Sequence, residues 1–232
     1  MGDLDNSFAS VSYQEQLERA MWYKNDLEQG GWREIQNTSD GGFWIKTMPS
    51  DEVPIKILFT YNMPMSAAMF MKMLNADHHE LRKKWDSAFA NTEILERYPN
   101  NGGYVLFLKT KTPWPLRDRS FVLFTAPNKE VEWFGEKAYL IVQKNAWHKL
   151  KPTGDDGMVR ATNGGNFFVV IPDDKNPESS CRVFSLSNNN YNGCLPQTNI
   201  EFVLARLVPK VIGRLQKDMI AGYEKYFKDG QN

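Results

Sequence analysis

Cysteine is nearly missing from this chain. Cys181 and Cys194 are the two in 232 residues, too few for a disulfide framework. No uninterrupted apolar run reaches the ~18 residues that a membrane-spanning helix needs, and the chain does not open on a signal-peptide pattern. Charge of one sign is lacking too. The 28 Lys and Arg balance 28 Asp and Glu, so no global field favours nucleic acid or an acidic partner. There is no phosphate-binding glycine loop, no G-x-S-x-G and no C-x-x-C, which removes the commonest signals for nucleotide, esterase and redox chemistry. Of the three histidines, His78 and His79 stand beside Asp77 and Glu80 without the i, i+4 spacing of helical zinc ligands, and His148 stands alone in an expected loop. These absences predict a cytoplasmic protein with no cofactor and no metal.

What is present is apolar and aromatic: 41% and 13% of residues respectively, enough to fill a large core. After a flexible stretch at 1–11, the apolar positions Tyr13, Leu17, Ala20, Met21 and Leu27 recur at helical spacing up to Gly30-Gly31. Strand patterns follow at 32–38, 43–48 and 55–61. In the third, Ile55, Ile57, Phe59 and Tyr61 alternate with Lys56 and Thr60, which predicts one buried face. Ser66 opens a Met-rich helix and Asp77 is expected to cap a second one running through Leu81 and Trp85. Strands return at 92–98, 104–110, 120–126 with an extension towards Phe134, and 138–146. A further one at 158–171 is interrupted by Gly164-Gly165, and the ninth covers 181–188. No repeat or linker divides the chain, so 12–228 reads as one domain.

The last stretch is the longest. Thr198-Asn199-Ile200-Glu201 has the form of a capping box. Beyond it Leu204, Leu207, Val211, Leu215, Met219, Tyr223 and Tyr226 form a wide apolar stripe, with Arg206, Lys210, Lys217, Glu224 and Lys228 on the other side. The helix would be roughly 40 Å long, bent or broken locally at Pro209. Helix, three strands, two short helices, six strands and a long helix make an α+β order with an antiparallel sheet, in which only the last helix is long enough to cover a curved face.

That order, with three local motifs, resembles the START lipid-transfer family and its helix-grip fold, over roughly residues 12 to 228. The motifs are Leu81-Arg82-Lys83-Lys84-Trp85-Asp86-Ser87, similar to the family's R-K-x-W-D, and Lys111 to Val122, similar to P-x-P-x-x-N-R-D-[YF]-V. The third, Asn192-Gly193-Cys194-Leu195-Pro196, is similar to the G-x-[LI]-P before the family's last helix. These forms resemble the phosphatidylcholine-transfer branch most closely. The resemblance implies about nine strands curled round the terminal helix with a lipid cavity between them. Enclosure has a clear motive: a two-chain lipid exposes about 30 methylenes in water, worth roughly 20–25 kcal/mol. Met69, Met71, Met73 and Met219 are candidates for flexible cavity walls.

The resemblance also implies site residues. Arg82 matches the arginine that binds the lipid phosphate, a role suited to its bidentate fork; the alternative is an ion pair with Asp86 one turn along the same helix. In that branch an aromatic cage encloses choline. Its Trp falls on Leu108, a Tyr on Phe121, a further Tyr on Gly164 and a Gln on Asn166, so a single cage ring is kept and choline selectivity is not implied. Trp44 and Trp133 are other candidate cage rings. Thr110, at the end of the Leu108 strand, and Met219 complete the expected lipid contacts. Arg119 matches the family's N-R-D arginine and is expected to pair with Glu93 or Glu96. Trp114 and Leu116, at an apolar hairpin tip, are the expected membrane gate.

The sequence therefore predicts a non-enzymatic, monomeric carrier of one phospholipid that touches membranes transiently and binds no nucleic acid. A carrier or sensor for a sterol, ceramide or other single apolar ligand is the alternative, with Arg82 structural. An enzyme working in the same cavity is the third reading, for which the sequence offers no acid–base pair.

Overall fold

The computed structural model describes residues 12–100, 102–112, 117–152, 157–192 and 200–228. Helix α1 (Tyr13–Gln29) starts where the Ser12 hydroxyl accepts the Glu15 N–H at 3.3 Å and stops at Gly30, whose φ of 98° suits glycine. Strands β1 (Arg33–Thr38), β2 (Gly41–Thr47) and β3 (Ile55–Met63) follow, then α2 (Ala67–Leu74), a single 3-10 turn at Ala76–His78, and α3 (His79–Trp85). Next come β4 (Phe89–Arg97), β5 (Tyr104–Thr110), β6 (Arg119–Thr125), β7 (Lys129–Trp133), β8 (Glu136–Asn145), β9 (Val159–Arg160) and β10 (Thr162–Asn163). The order closes with β11 (Asn166–Pro172), β12 (Cys181–Ser187), β13 (Asn189–Asn190) and α4 (Ile200–Tyr226).

The main path of the sheet runs β1-β2-β3-β12-β11-β8-β6-β5-β4, nine strands paired antiparallel, as expected. The additions are local. The expected extension to Phe134 is the separate strand β7, joined to β8 by Phe134-Gly135 with φ of 49° and 84°, a two-residue hairpin turn. The expected strand 158–171 is divided into β9, β10 and β11. Gly164, at the division, lies so close to its neighbours that a Cβ there would be 2.5 Å from the Asn188 Nδ2.

The sheet is buried on both faces. On its inner face Phe59 and Tyr61 pack in one core with Phe70 and Met73 of α2, Trp85 of α3 and Met219 of α4. Its outer face holds Leu58, Phe107, Trp133, Phe167 and Phe184 with Tyr23 of α1. Adjacent residues such as Leu58 and Phe59 thus enter different cores, and every residue of β6 is buried. This corrects the one-faced reading of β3. Lys56 is 1% exposed, its ammonium 2.7 Å from Asp51 and 3.2 Å from the Asn188 side chain. A buried ammonium is tolerated when it is paired and hydrogen-bonded like this.

Two smaller expectations change, and others lie outside the described residues. Asn75, not Asp77, caps the turn before α3, accepting the Asp77 N–H at 2.9 Å, while Asp77 pairs with Arg97. Helix α4 runs through Pro209 without interruption. The capping box at Thr198 and most of the motif that opens at Asn192 lie outside the described residues, as does the chain from 1 to 11. Along α4, Arg206, Lys210, Lys217, Glu224 and Lys228 are exposed and Leu215, Met219, Tyr223 and Tyr226 face the inner core, as the stripe predicts. No described helix is long and apolar enough to cross a membrane.

Candidate ligand-binding site

The residues from Arg82 to Ser87 fasten α4 to the rest of the fold. Arg82 Nε donates to the Asp86 Oδ2 at 2.9 Å, and Nη2 lies 2.8 Å from the same oxygen in an ion pair. The other oxygen, Oδ1, accepts the N–H groups of Ala88 and Phe89 at 3.1 Å each and so sets the entry into β4. Trp85 packs on α4 at Gly222, and the Ser87 N–H donates to Asp218 of α4 at 3.0 Å, with the Ser87 hydroxyl on the same oxygen. Asp218 and Gly222 were not legible as functional in the sequence. A lone acid and a lone glycine in a long helix carry no signal until α3 is placed beside them.

Between α4, α3, α2 and the inner face lies a cavity of about 480 Å³, within the ~300–1,000 Å³ usual for ligand sites. Arg82, Leu108 and Met219 line it together, with Met71 and Leu215 among the aliphatic walls and Tyr61, Phe89, Tyr104 and Phe168 among the aromatic ones. The Arg82 guanidinium lies 4.8 Å from the Phe89 ring centre, a cation–π contact that holds its plane against the wall. Among the described residues, its Nη1 has no hydrogen-bond partner. The Thr125 hydroxyl, also in the wall, is buried without one. Burial raises the pKa of Tyr61 and of Tyr104, so both phenols stay neutral.

The other predicted site residues are distributed as follows. Phe121 stands opposite Leu108 on β6 and meets Tyr191 edge-on with ring centres 6.4 Å apart. Thr110 is opposite Arg119, its hydroxyl donating to the Arg119 carbonyl at 3.4 Å. Asn166 has its amide engaged with the Asn189 side chain at 3.3 Å and the Asn188 N–H at 2.8 Å, between β11 and the segment after β12. None of these three lines the cavity. Of the expected methionines, Met71 and Met219 line it, whereas Met73 is wholly buried in the inner core and Met69 packs against that core. Trp44 and Trp133 both belong to the outer core, away from the cavity. Trp114 and Leu116 lie outside the described residues.

Arg119 departs from expectation. Glu93 stands opposite Phe107 and Glu96 opposite Val105, both on the outer face, so strand parity keeps them from an inward-facing Arg119. The guanidinium donates instead to the carbonyls of Tyr191 at 2.8 Å, Asn192 at 3.2 Å and Arg117. Burial pulls its pKa below the usual guanidinium value. Its work is to hold the chain at Tyr191 and Asn192, just before the connection to α4. Among the described residues no cluster of three or more metal ligands forms, and His79 bonds the Ala76 carbonyl at 3.0 Å.

A broad antiparallel sheet gripping one long helix, with a cavity between them, defines the helix-grip class. The START domain model matches residues 12–223, and the chain belongs to that family, whose domains bind and transfer lipids. No curated protein matches it in sequence. Among solved structures, human STARD10 is similar at 20% identity and a TM-score of 0.69, over 90% of this chain and 81% of that one. Human StAR-related lipid transfer protein 5 is similar at 15% identity and a TM-score of 0.69, over 96% and 99%. The human StarD13 lipid transfer and protein localization domain follows at 14% identity and 0.62, over 88% and 96%. At these identities the likeness is one of fold.

Proposed function

We propose that this chain carries one phospholipid in the cavity under α4, with Arg82 on the lipid phosphate, and exchanges it between membranes without altering it chemically. The observation that carries this reading is the placement of Arg82. It is the cation of the R-K-x-W-D motif, it lines the cavity, and Nη1 retains donors that no described residue engages. A phosphodiester beside it would form charge-assisted bonds to those donors while Asp86 holds the other edge of the fork. The reading places the protein in the cytoplasm as a monomer, and assigns the gate to Trp114 and Leu116.

One observation favours a second reading, a sterol or ceramide carrier or sensor. Asp86 already neutralises Arg82 within the same helix, so the cavity can be balanced in charge without a phosphate. Native mass spectrometry of freshly purified protein separates the two. The telling variant is Arg82→Gln with Asp86→Asn, because it removes both charges and keeps an acceptor oxygen for Ala88 and Phe89. Phospholipid bound to the wild type and lost from this variant supports the assignment. Phospholipid retained at the wild-type level makes Arg82 structural, and a sterol or ceramide in the wild type establishes the second reading.

A further inference from the structure

We infer that the turn at residues 146–151, just after β8, is a docking surface for anionic membranes, separate from the cavity and on the opposite, outer face of the sheet. It is built on a residue whose sequence context suggested nothing. His148 is 8% exposed and acts as the pivot of the loop. Its Nδ1 accepts the Leu150 N–H at 3.3 Å, its carbonyl accepts the Lys151 N–H at 2.9 Å, and its Nε2 is 3.8 Å from Glu96. The Ala146 N–H is fixed to the Val122 carbonyl at 2.9 Å. A loop held at these points nevertheless presents two large apolar side chains to water, Trp147 at 42% and Leu150 at 61% exposure. The exposure therefore belongs to an ordered turn and is not the fraying of a loose one.

The charges around this pair are mostly positive among the described residues. Residues 144–151 carry Lys144, Lys149 and Lys151 and no acid. Beneath them the buried Phe107 ring gathers three cations: Lys109, Lys151 and Arg160 stand 5.3, 4.7 and 5.2 Å from its centre. Among the described residues, Glu93, 3.0 Å from Lys151, and Glu96 beside His148 are the acids that face the group, and Asp155 and Asp156 further along the chain lie outside the described residues. In a chain with equal numbers of acids and bases, this is a local concentration of positive charge. Trp and Leu surrounded by lysines is the composition of an interfacial element. The apolar pair enters the boundary between headgroups and acyl chains while the ammonium groups meet anionic phosphates. Charge complementarity thus selects an anionic bilayer as the occupant.

The inference rests on the carrier reading in one respect, that the protein visits membranes. Its test reads surface binding, while native mass spectrometry of the same preparations reads lipid loading, so the two can fail separately. The probes are vesicles of phosphatidylcholine alone and of phosphatidylcholine with phosphatidylserine, in a co-sedimentation assay. The wild type is expected to bind the phosphatidylserine vesicles, more weakly as salt rises, and to leave phosphatidylcholine vesicles largely unbound. Lys144→Gln with Lys149→Gln should weaken binding about fivefold per lysine. Trp147→Ser with Leu150→Ser should release the protein as well. Both double variants should keep the wild-type circular dichroism and bound lipid, because none of the four residues lines the cavity. Failure of the wild type to bind anionic vesicles, as expected if a protein partner covers this face, overturns the inference. So does wild-type binding by either folded variant.

Discussion

Gly222 of α4 lies directly against Trp85 of α3: a Cβ on Gly222 would be 2.6 Å from the Trp85 Cβ and Cγ. No flexible side-chain end is available to move aside, because Trp85 is 7% exposed and closed in by the inner core. Helix position along the cavity is therefore set by a missing side chain. Gly222→Ala should lower the melting temperature, since overpacking costs about 1–3 kcal/mol and outweighs the ~1 kcal/mol gained in helix propensity. Gly213→Ala is the control, because among the described residues nothing beyond its own helix backbone and chain neighbours lies within 4 Å of its added Cβ. It should leave the melting temperature unchanged or raise it. Equal melting temperatures for the two variants would show that α3 and α4 do not pack as described.

Arg82 and Asp86 give a second prediction, read in stability. Asp86 has 2% of its side chain exposed and Arg82 has 21%. Arg82→Ala leaves a buried carboxylate with two backbone donors and no cation. Removing one partner of a buried pair costs up to about 3–5 kcal/mol, and the partial exposure of Arg82 puts the expectation at the lower end. The double variant Arg82→Gln, Asp86→Asn carries no orphan charge. It should unfold at a higher urea concentration than Arg82→Ala alone. The reverse order would mean that Asp86 is solvated.

Much of this architecture was legible in the sequence because periodicity survives folding. The stripe on α4, the Ser66 cap and the β4–β5–β6 meander follow from it directly. What failed was the assumption of one wet face. Lys56 and Thr60 look like the solvent side of β3, but α1 covers the outer face and Lys56 is buried, paired with the exposed Asp51. Likewise Glu93 and Glu96 were plausible partners for Arg119 by strand adjacency alone. The side-chain parity that separates them depends on the register of β4 with β5, which includes two irregularities. Placement beside the cavity was legible where a helix presents the residue, as with Arg82. Placement was not legible where a residue is defined by its neighbour, as with Gly222 or His148.

Headgroup choice is the next prediction. Leu108, the position at which the sequence resemblance implies a cage Trp, lines the cavity as an aliphatic wall, and the alternative rings Trp44 and Trp133 belong to the outer core. Competition among choline, ethanolamine, serine and inositol phospholipids with matched chains should show no exclusive preference for choline. A large choline preference would require a cage from rings already in the wall, such as Tyr61 or Phe168.

Trp114→Ser with Leu116→Ser should slow exchange between vesicles tenfold or more and leave the identity of the bound lipid unchanged. On the proposed reading, the part these two residues play is contact with the bilayer during loading. At roughly 25 cal/mol per Å² that contact amounts to a few kcal/mol, whereas the loaded state is held by the cavity walls. Exchange at the wild-type rate would move the gate elsewhere, and a changed lipid would place these residues in the cavity.

Alkaline pH offers a test of the inner core that needs no ligand. Burial pushes the Cys181 thiol up from 9.0 to about 12. Tyr61, close enough to feel a charge on Cys181, is raised by its own burial first and by that charge second. A raised acid favours the folded state in its neutral form. The stabilisation is therefore whole below pH 9 and is lost as pH rises through the window from 9.0 to about 12. At pH ~10.5 the thiol alone accounts for a loss of about 2 kcal/mol, as the unfolded chain releases a proton that the folded chain keeps. Urea midpoints in a Cys194→Ser background should fall accordingly between pH ~8 and ~10.5. Cys181→Ala in that background should flatten the fall, leaving the part due to the tyrosines. A native Cys181 that reacts quickly with a thiol reagent near neutral pH, or a midpoint indifferent to pH, would show that β3 and β12 do not close the inner core over this residue.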